Sequence, residues 1–171
     1  MTQRAIIITG PVGAGKTTTT WALAELLEQN DISCAAIDMD SLRWFHPTPP
    51  DDPFGSAVGF RHLRMMTQTF RETSIPTLVL ADVIEETTAD HQRAMPGYDV
   101  IVVRLQVDFA RLDARLRQRE TEIQIPWHLN RARELQGIME RNGIGDVVIE
   151  VKDESPAEIA LSIATRLGLI S

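Results

Sequence analysis

The run Gly10-Pro11-Val12-Gly13-Ala14-Gly15-Lys16-Thr17 leaves the chain little freedom of fold. It follows five β-branched or apolar residues ending at Thr9 and opens a stretch with helical spacing at Trp21, Ala22, Leu23, Leu26 and Leu27. A strand, a glycine loop and a helix in that order form a cradle whose backbone N–H groups point at an anion, with the positive end of the helix dipole behind them. The run fits G-x-x-x-x-G-K-[ST], the signature of a nucleoside-triphosphate loop. Lysine at position 16 is informative, because the chain uses fifteen arginines and only two lysines. A compact ammonium enters a phosphate cradle that a broad guanidinium fork does not. Lys16 can reach the β- and γ-phosphates, and the Thr17 hydroxyl can ligate Mg²⁺. Gly10, Pro11, Val12, Gly13, Ala14, Gly15, Lys16, Thr17 and Thr18 are thus the candidate nucleotide-binding residues.

The rest of the chain alternates in the same sense. Residues 33–38, 77–83, 99–105 and 147–151 read as further strands, apolar nearly throughout, as strands covered on both faces are. Helices are predicted over 60–73, 87–95, 109–119 with Asp108 as cap, 128–141, and 156–167 with Ser155 as cap and Pro156 in the first turn. Residues 44–59 hold four prolines and two glycines, and read as an ordered functional loop. The expected architecture is a three-layer α/β sandwich on a mainly parallel five-stranded sheet, with right-handed crossovers. No domain boundary is visible in the 171 residues. A net charge of −7 argues against nucleic acid as a partner. No run approaches the 18–20 or so apolar residues of a membrane span. The first apolar run is too short for a signal peptide, so a cytoplasmic location is expected. The lone Cys34 reads as a small packed residue, and oligomeric state is not legible.

Two further constellations carry chemistry. In Asp38-Met39-Asp40-Ser41-Leu42-Arg43, two acids separated by one residue leave the end of a strand. They can diverge, one toward a metal and the other toward an acceptor. Arg111, Arg115 and Arg119 recur every four residues and share a helix face, with Leu112 and Leu116 beside it. Seven of the fifteen arginines fall between positions 104 and 133, which favours a local polyanion site. Arg117 pairs with Asp113 at i, i+4 on the surface. Asp82 ends the third strand and could partner a metal, cap a helix or contact an acceptor. Glu85 and Glu86 read as a solvated face. Trp44, Phe45 and His46 could wall the acceptor or simply pack; His128 and Arg131 are weaker candidates.

These three places together resemble the small P-loop kinases related to shikimate, gluconate, adenylylsulfate and chloramphenicol kinases, over the whole chain in length and element order. The resemblance implies the strand order 2-3-1-4-5, with ATP and Mg²⁺ as the bound species. It implies that Asp38 holds the metal through water and that Asp40 orients the acceptor hydroxyl and takes its proton. Arg43 would meet an acceptor anion, and Arg115 and Arg119 would stabilise the transferred charge, with a short lid at 118–127 closing over the triphosphate. Residues 41–76 would bind the acceptor. Gly59-Phe60-Arg61 is similar to a G-F-R of shikimate kinases, whose arginine holds a carboxylate, so Arg61 and Asp82 join the acceptor candidates. Arg64 stands where that family has an acid, and Ala81-Asp82-Val83 where it has glycines, which speaks against shikimate itself. The reading is a kinase for a small hydroxyl-bearing molecule. A nucleoside or nucleotide kinase is the alternative within enzymes, and a nucleotide-dependent regulatory protein the alternative outside them.

Overall fold

Ile6, Ile7 and Ile8 are all fully buried, although alternate residues of a strand face opposite sides. Their strand, β1 (Arg4–Thr9), must therefore be covered above and below. A computed structural model describes residues 3–170 and shows how. After β1 come α1 (Lys16–Gln29), β2 (Cys34–Asp38), α2 (Met39–Arg43), α3 (Ser56–Glu72) and β3 (Thr77–Ala81). They are followed by α4 (Ala89–Ala94), β4 (Asp99–Val107), α5 (Phe109–Arg119), α6 (Ile125–Arg141), β5 (Val147–Val151) and α7 (Pro156–Arg166). The five strands form one parallel sheet in the order β2-β3-β1-β4-β5. β1 lies at its centre, between β3 and β4, so the loop that follows it emerges mid-sheet at the carboxyl edge.

The sheet divides two apolar cores. Ile6 and Ile8 pack with Leu23 and Leu27 of α1, Leu112 and Leu116 of α5, and Ile159 and Ile163 of α7. Ala5 and Ile7 pack on the other side with Leu63 of α3, Ala94 of α4, and Leu135 and Met139 of α6. Each fully buried aliphatic side chain contributes about 1.5–3 kcal/mol. The layer of α1, α5 and α7 lies under the glycine loop. The layer of α3, α4 and α6 lies under the acidic run and the proline-rich segment. No helix among the described residues is long and apolar enough to cross a membrane.

Several elements differ from the sequence reading: β4 runs on to Val107, α4 spans Ala89–Ala94 rather than 87–95, and four further differences have a local reason. The strand predicted over 77–83 ends at Ala81, because Asp82 and Val83 turn away to make side-chain bonds. α3 begins at Ser56 rather than 60: Gly55 takes a left-handed φ of 62° and the Asp52 carboxylate accepts from the N–H groups of Ser56 and Ala57 at 2.7 and 2.9 Å. α6 starts at Ile125, with Pro126 in its first turn, where its missing N–H costs nothing. α2 is a five-residue helix in a stretch without a helical period long enough to detect.

α7 starts where predicted, at a reciprocal cap. Ser155 Oγ accepts from the Glu158 N–H at 3.3 Å, and the Glu158 carboxylate accepts from the Ser155 N–H at 2.7 Å. Ser155→Ala is expected to cost about 1 kcal/mol and to lower Tm by roughly 2–4 °C. Thermal unfolding followed by circular dichroism checks this; an unchanged Tm would mean the cap is energetically idle.

Candidate functional site

The site begins at the end of β1, where helix α1 starts without a side-chain cap and without an acid in its first turn. The first N–H groups of an α-helix have no partner inside it. Gly15 precedes them in a left-handed conformation, φ 93°, which turns the loop under the helix end. A cleft of 240 Å³ opens over this point, lined by Gly13, Gly15 and Thr18 below and by Arg115, Arg119 and Glu154 around it. Uncapped N–H groups facing arginines fit a polyanion. Lys16 folds over the loop and donates from Nζ to the Gly10 and Pro11 carbonyls, both at 3.1 Å. Burial pulls its ammonium below the usual 10.5, against the opposing charges of Asp40, Asp82 and Asp38.

Thr17 and Asp38 meet across the loop. Thr17 Oγ1 donates to Asp38 Oδ2 at 2.8 Å. A hydroxyl and a carboxylate oxygen side by side suit Mg²⁺, which takes few protein ligands and completes its shell with water and phosphate. The other Asp38 oxygen, Oδ1, accepts from the Asp40 N–H at 3.0 Å and so caps α2. One carboxylate thereby fixes both the metal-side hydroxyl and the helix that carries Asp40. The Asp40 side chain is 88% exposed. Partial desolvation, then the charges of Asp38 and Asp82, push its carboxyl above the usual 3.8, while Arg43 and Lys16 pull the other way.

The two arginines expected to meet the acceptor, Arg43 and Arg61, point in different directions. Arg43 turns inward and donates from Nη2 to Asp82 Oδ2 at 2.7 Å; its Nη1 is 3.9 Å from Asp40 Oδ1. Its guanidinium lies 5.7 Å from the centre of the Phe60 ring. Arg61 sits two residues from both Gly59 and Leu63, the buried stripe of α3, so it faces the opposite side. It is exposed and makes no hydrogen bond or ion pair among the described residues.

Asp82, which the sequence offered as a metal partner, a helix cap or an acceptor contact, anchors a buried network. His91 Nε2 is 2.7 Å from the same Oδ2, and Oδ1 accepts from the Val83 N–H at 2.7 Å. The His91 ring meets Phe60 edge-on at 4.9 Å. Burial raises the Asp82 carboxyl, but the His91 bond and the Arg43 charge outweigh it, and the net shift is downward. No sequence pattern signals this network, because its members lie on α2, just after β3 and on α4. Glu86 is exposed, and Glu85 is partly so. Glu85 pairs with Arg131 of α6, and its carbonyl accepts from Asn142 Nδ2 at 2.7 Å. Trp44 is 86% exposed, whereas Phe45 packs toward Gly55. Cys34 is half-buried and its thiol donates to the Ala24 carbonyl at 3.6 Å, away from the site.

Arg115 and Arg119 both reach the phosphate-side cleft from α5. Arg119 also pairs with Glu120 at 2.6 Å, at the start of the predicted lid, and His128 Nδ1 lies 3.6 Å from the same carboxylate. Arg117 makes the surface pair with Asp113 at 3.0 Å. Arg111, on the same face as Arg115, is instead tied to Asp108 and Asp153 and donates to the Lys152 carbonyl at 3.0 Å.

A central parallel strand, a nucleotide loop at its carboxyl end and this strand order define the fold of the small P-loop kinases. Solved structures agree. A tunicamycin resistance protein from Deinococcus radiodurans superposes with a TM-score of 0.66 over 98% of this chain and 97% of its own, at 23% identity. Shikimate kinase from Acinetobacter baumannii, solved with shikimate, gives 0.62 over 98% and 95% at 22% identity. APS kinase from Mycobacterium tuberculosis, solved with AMPPNP and APS, gives 0.61 over 97% and 98% at 22% identity. At these identities the likeness is one of fold. No protein-family model and no curated protein sequence matches the chain.

The Asp82 network makes a stability prediction. A carboxyl held below its unfolded value of 3.8 adds stability that is complete above that value and drains away as pH falls through it. Asp82→Asn, which removes the charge facing a buried arginine, should cost of order 3 kcal/mol near neutral pH. The gap to wild type should narrow below about pH 4. Urea unfolding at neutral and acid pH measures it; a gap that stays constant with pH would show that Asp82 is not held ionised.

Proposed function

We propose that the protein is an ATP- and Mg²⁺-dependent phosphotransferase that passes the γ-phosphoryl group to a hydroxyl of a small molecule. The observation that carries this reading is the double contact of Asp38, which locks Asp40 beside the phosphate loop through Thr17 on one side and α2 on the other. Mg²⁺ bound at Thr17 and Asp38 would offset charge on the phosphoryl oxygens. Lys16 would hold the phosphates, and Arg115 and Arg119 would face them from α5. Asp40 would accept the proton of the attacking hydroxyl at a carboxylate oxygen. A lid at 120–124, between α5 and α6, would keep water from the reacting centre. The likeness to shikimate kinase and APS kinase supports the reading at the level of fold.

ADP formation with Mg²⁺·ATP against pooled hydroxyl-bearing metabolites, nucleosides and antibiotics tests it. At least one pool should raise turnover well above the rate without acceptor. Lys16→Ala should lower that turnover roughly 10²–10³-fold. Asp40→Asn should lower kcat roughly 10²–10⁴-fold with little change in ATP affinity. Turnover confined to nucleosides or nucleotides would select that narrower class. Tight ATP binding without any acceptor-dependent turnover would move the protein to a regulatory nucleotide-binding role. Unchanged kcat in Asp40→Asn would remove Asp40 as the base.

A further inference from the structure

We infer that the acceptor is an uncharged or amine-bearing hydroxyl compound, and that carboxylate, phosphate and sulfate acceptors are shut out by the locking of Arg43 onto Asp82; this rests on the phosphotransferase reading above. An anionic acceptor brought up to Asp40 needs a cation to offset the repulsion between its charge and those of Asp38 and Asp40. Arg43 is the arginine near Asp40, 3.9 Å away, and its Nη2 is already given to Asp82. It shares the buried Asp82 Oδ2 with His91, both at 2.7 Å. Its stem runs over Gly59, where a Cβ would lie 2.6 Å from Arg43 Cγ, so the helix gives up a side chain to let the arginine pass. Swinging Arg43 out toward an acceptor would leave the Asp82 carboxylate, 1% exposed, without its cation. Removing one partner of a buried pair is strongly unfavourable.

No other arginine of this layer takes its place. Arg61 faces away from the buried stripe of α3. Arg64 lines a groove with Gln3 and Pro96, at the amino edge of the sheet and so at the far end from Asp40. On α4, Arg93 pairs with Asp90, and on α6 Arg131 is held by Glu85 and Glu134. Of the remaining cations, Arg115 and Arg119 of α5 line the cleft over the glycine loop and Lys16 is turned onto the loop carbonyls, so all three belong to the phosphate side. Positive charge is therefore allotted to the nucleotide, and the acceptor half presents Asp40, with Asp38 engaged by Thr17 behind it. A neutral hydroxyl compound meets no penalty there, and an amine gains from the two carboxylates.

Two measurements on the intact protein, with Mg²⁺ and a non-hydrolysable ATP analogue occupying the nucleotide side, test the inference. Arg43 Nε is buried and has no hydrogen-bond acceptor, so its N–H resonance is shielded from exchange and can be followed by ¹⁵N-edited NMR. Arg43→Lys deletes that signal and assigns it. Titration with inorganic sulfate and with gluconate, at constant ionic strength, should leave the resonance unmoved; a saturable shift would overturn the inference whatever the acceptor is. In the second measurement, ADP formation is compared between a pool of anionic hydroxyl compounds and a pool of neutral and amine-bearing ones. Turnover should rise roughly tenfold or more above background only with the second pool. Acceptor-dependent turnover with an anionic compound would overturn the inference. If neither pool gives turnover while the analogue binds, the phosphotransferase reading fails, and the arginine resonance still decides whether Arg43 is open to anions.

Discussion

One carboxylate, that of Asp38, ties the two halves of the molecule together. Its two oxygens do different work. Oδ2 takes the Thr17 hydroxyl at the start of α1, and Oδ1 takes the Asp40 amide at the start of α2. The first contact belongs to the phosphate loop and the second to the acidic run. Because β2 delivers Asp38 to the carboxyl edge of a rigid sheet, the spacing between loop and acidic run is set by backbone hydrogen bonds rather than by flexible side chains. A site assembled this way holds its geometry before anything binds, the condition under which charge stabilisation is most effective.

The two apolar cores repeat that division on a larger scale. α1, α5 and α7 share a core with one face of β1 and carry the cations that surround the phosphate loop. α3, α4 and α6 share a core with the other face and carry arginines that are either paired or turned outward. Electrostatic character thus follows the layers. The pairing of Arg131 with Glu85 and of Arg43 with Asp82 also stitches the second layer to the ends of the strands, so the same bonds that withdraw charge from the surface hold the helices to the sheet.

What the sequence makes legible is what local physics controls. The phosphate loop is eight consecutive residues, and its strand and helix are adjacent, so motif and context are read together. Continuous apolar runs reveal buried parallel strands, and Ser155-Pro156 reveals a helix start. Strand order is another matter, since pairing joins residues tens of positions apart; it came from resemblance, and the sheet shows it. The destination of Arg43 was hidden for the same reason. Its partner Asp82 lies 39 residues on, and His91 a further nine, with no spacing rule linking them. α2 was too short to show a period, and the start of α3 was concealed because its capping residues, Asp52 and Gly55, read as loop.

The arrangement around Asp82 also bears on how such a site could change by mutation. Its three charged or ionisable members sit on α2, at the end of β3 and on α4, and Gly59 on α3 is shaped around one of them. Replacing any one alone strands the others in the interior, while replacing them jointly by well-packed apolar groups need cost little. The residues are therefore epistatic: a step that is harmful by itself becomes tolerable after another has been taken. Change in this half of the protein is confined to a few ordered routes, whereas the exposed tip of the proline-rich loop at 46–51 can drift one residue at a time.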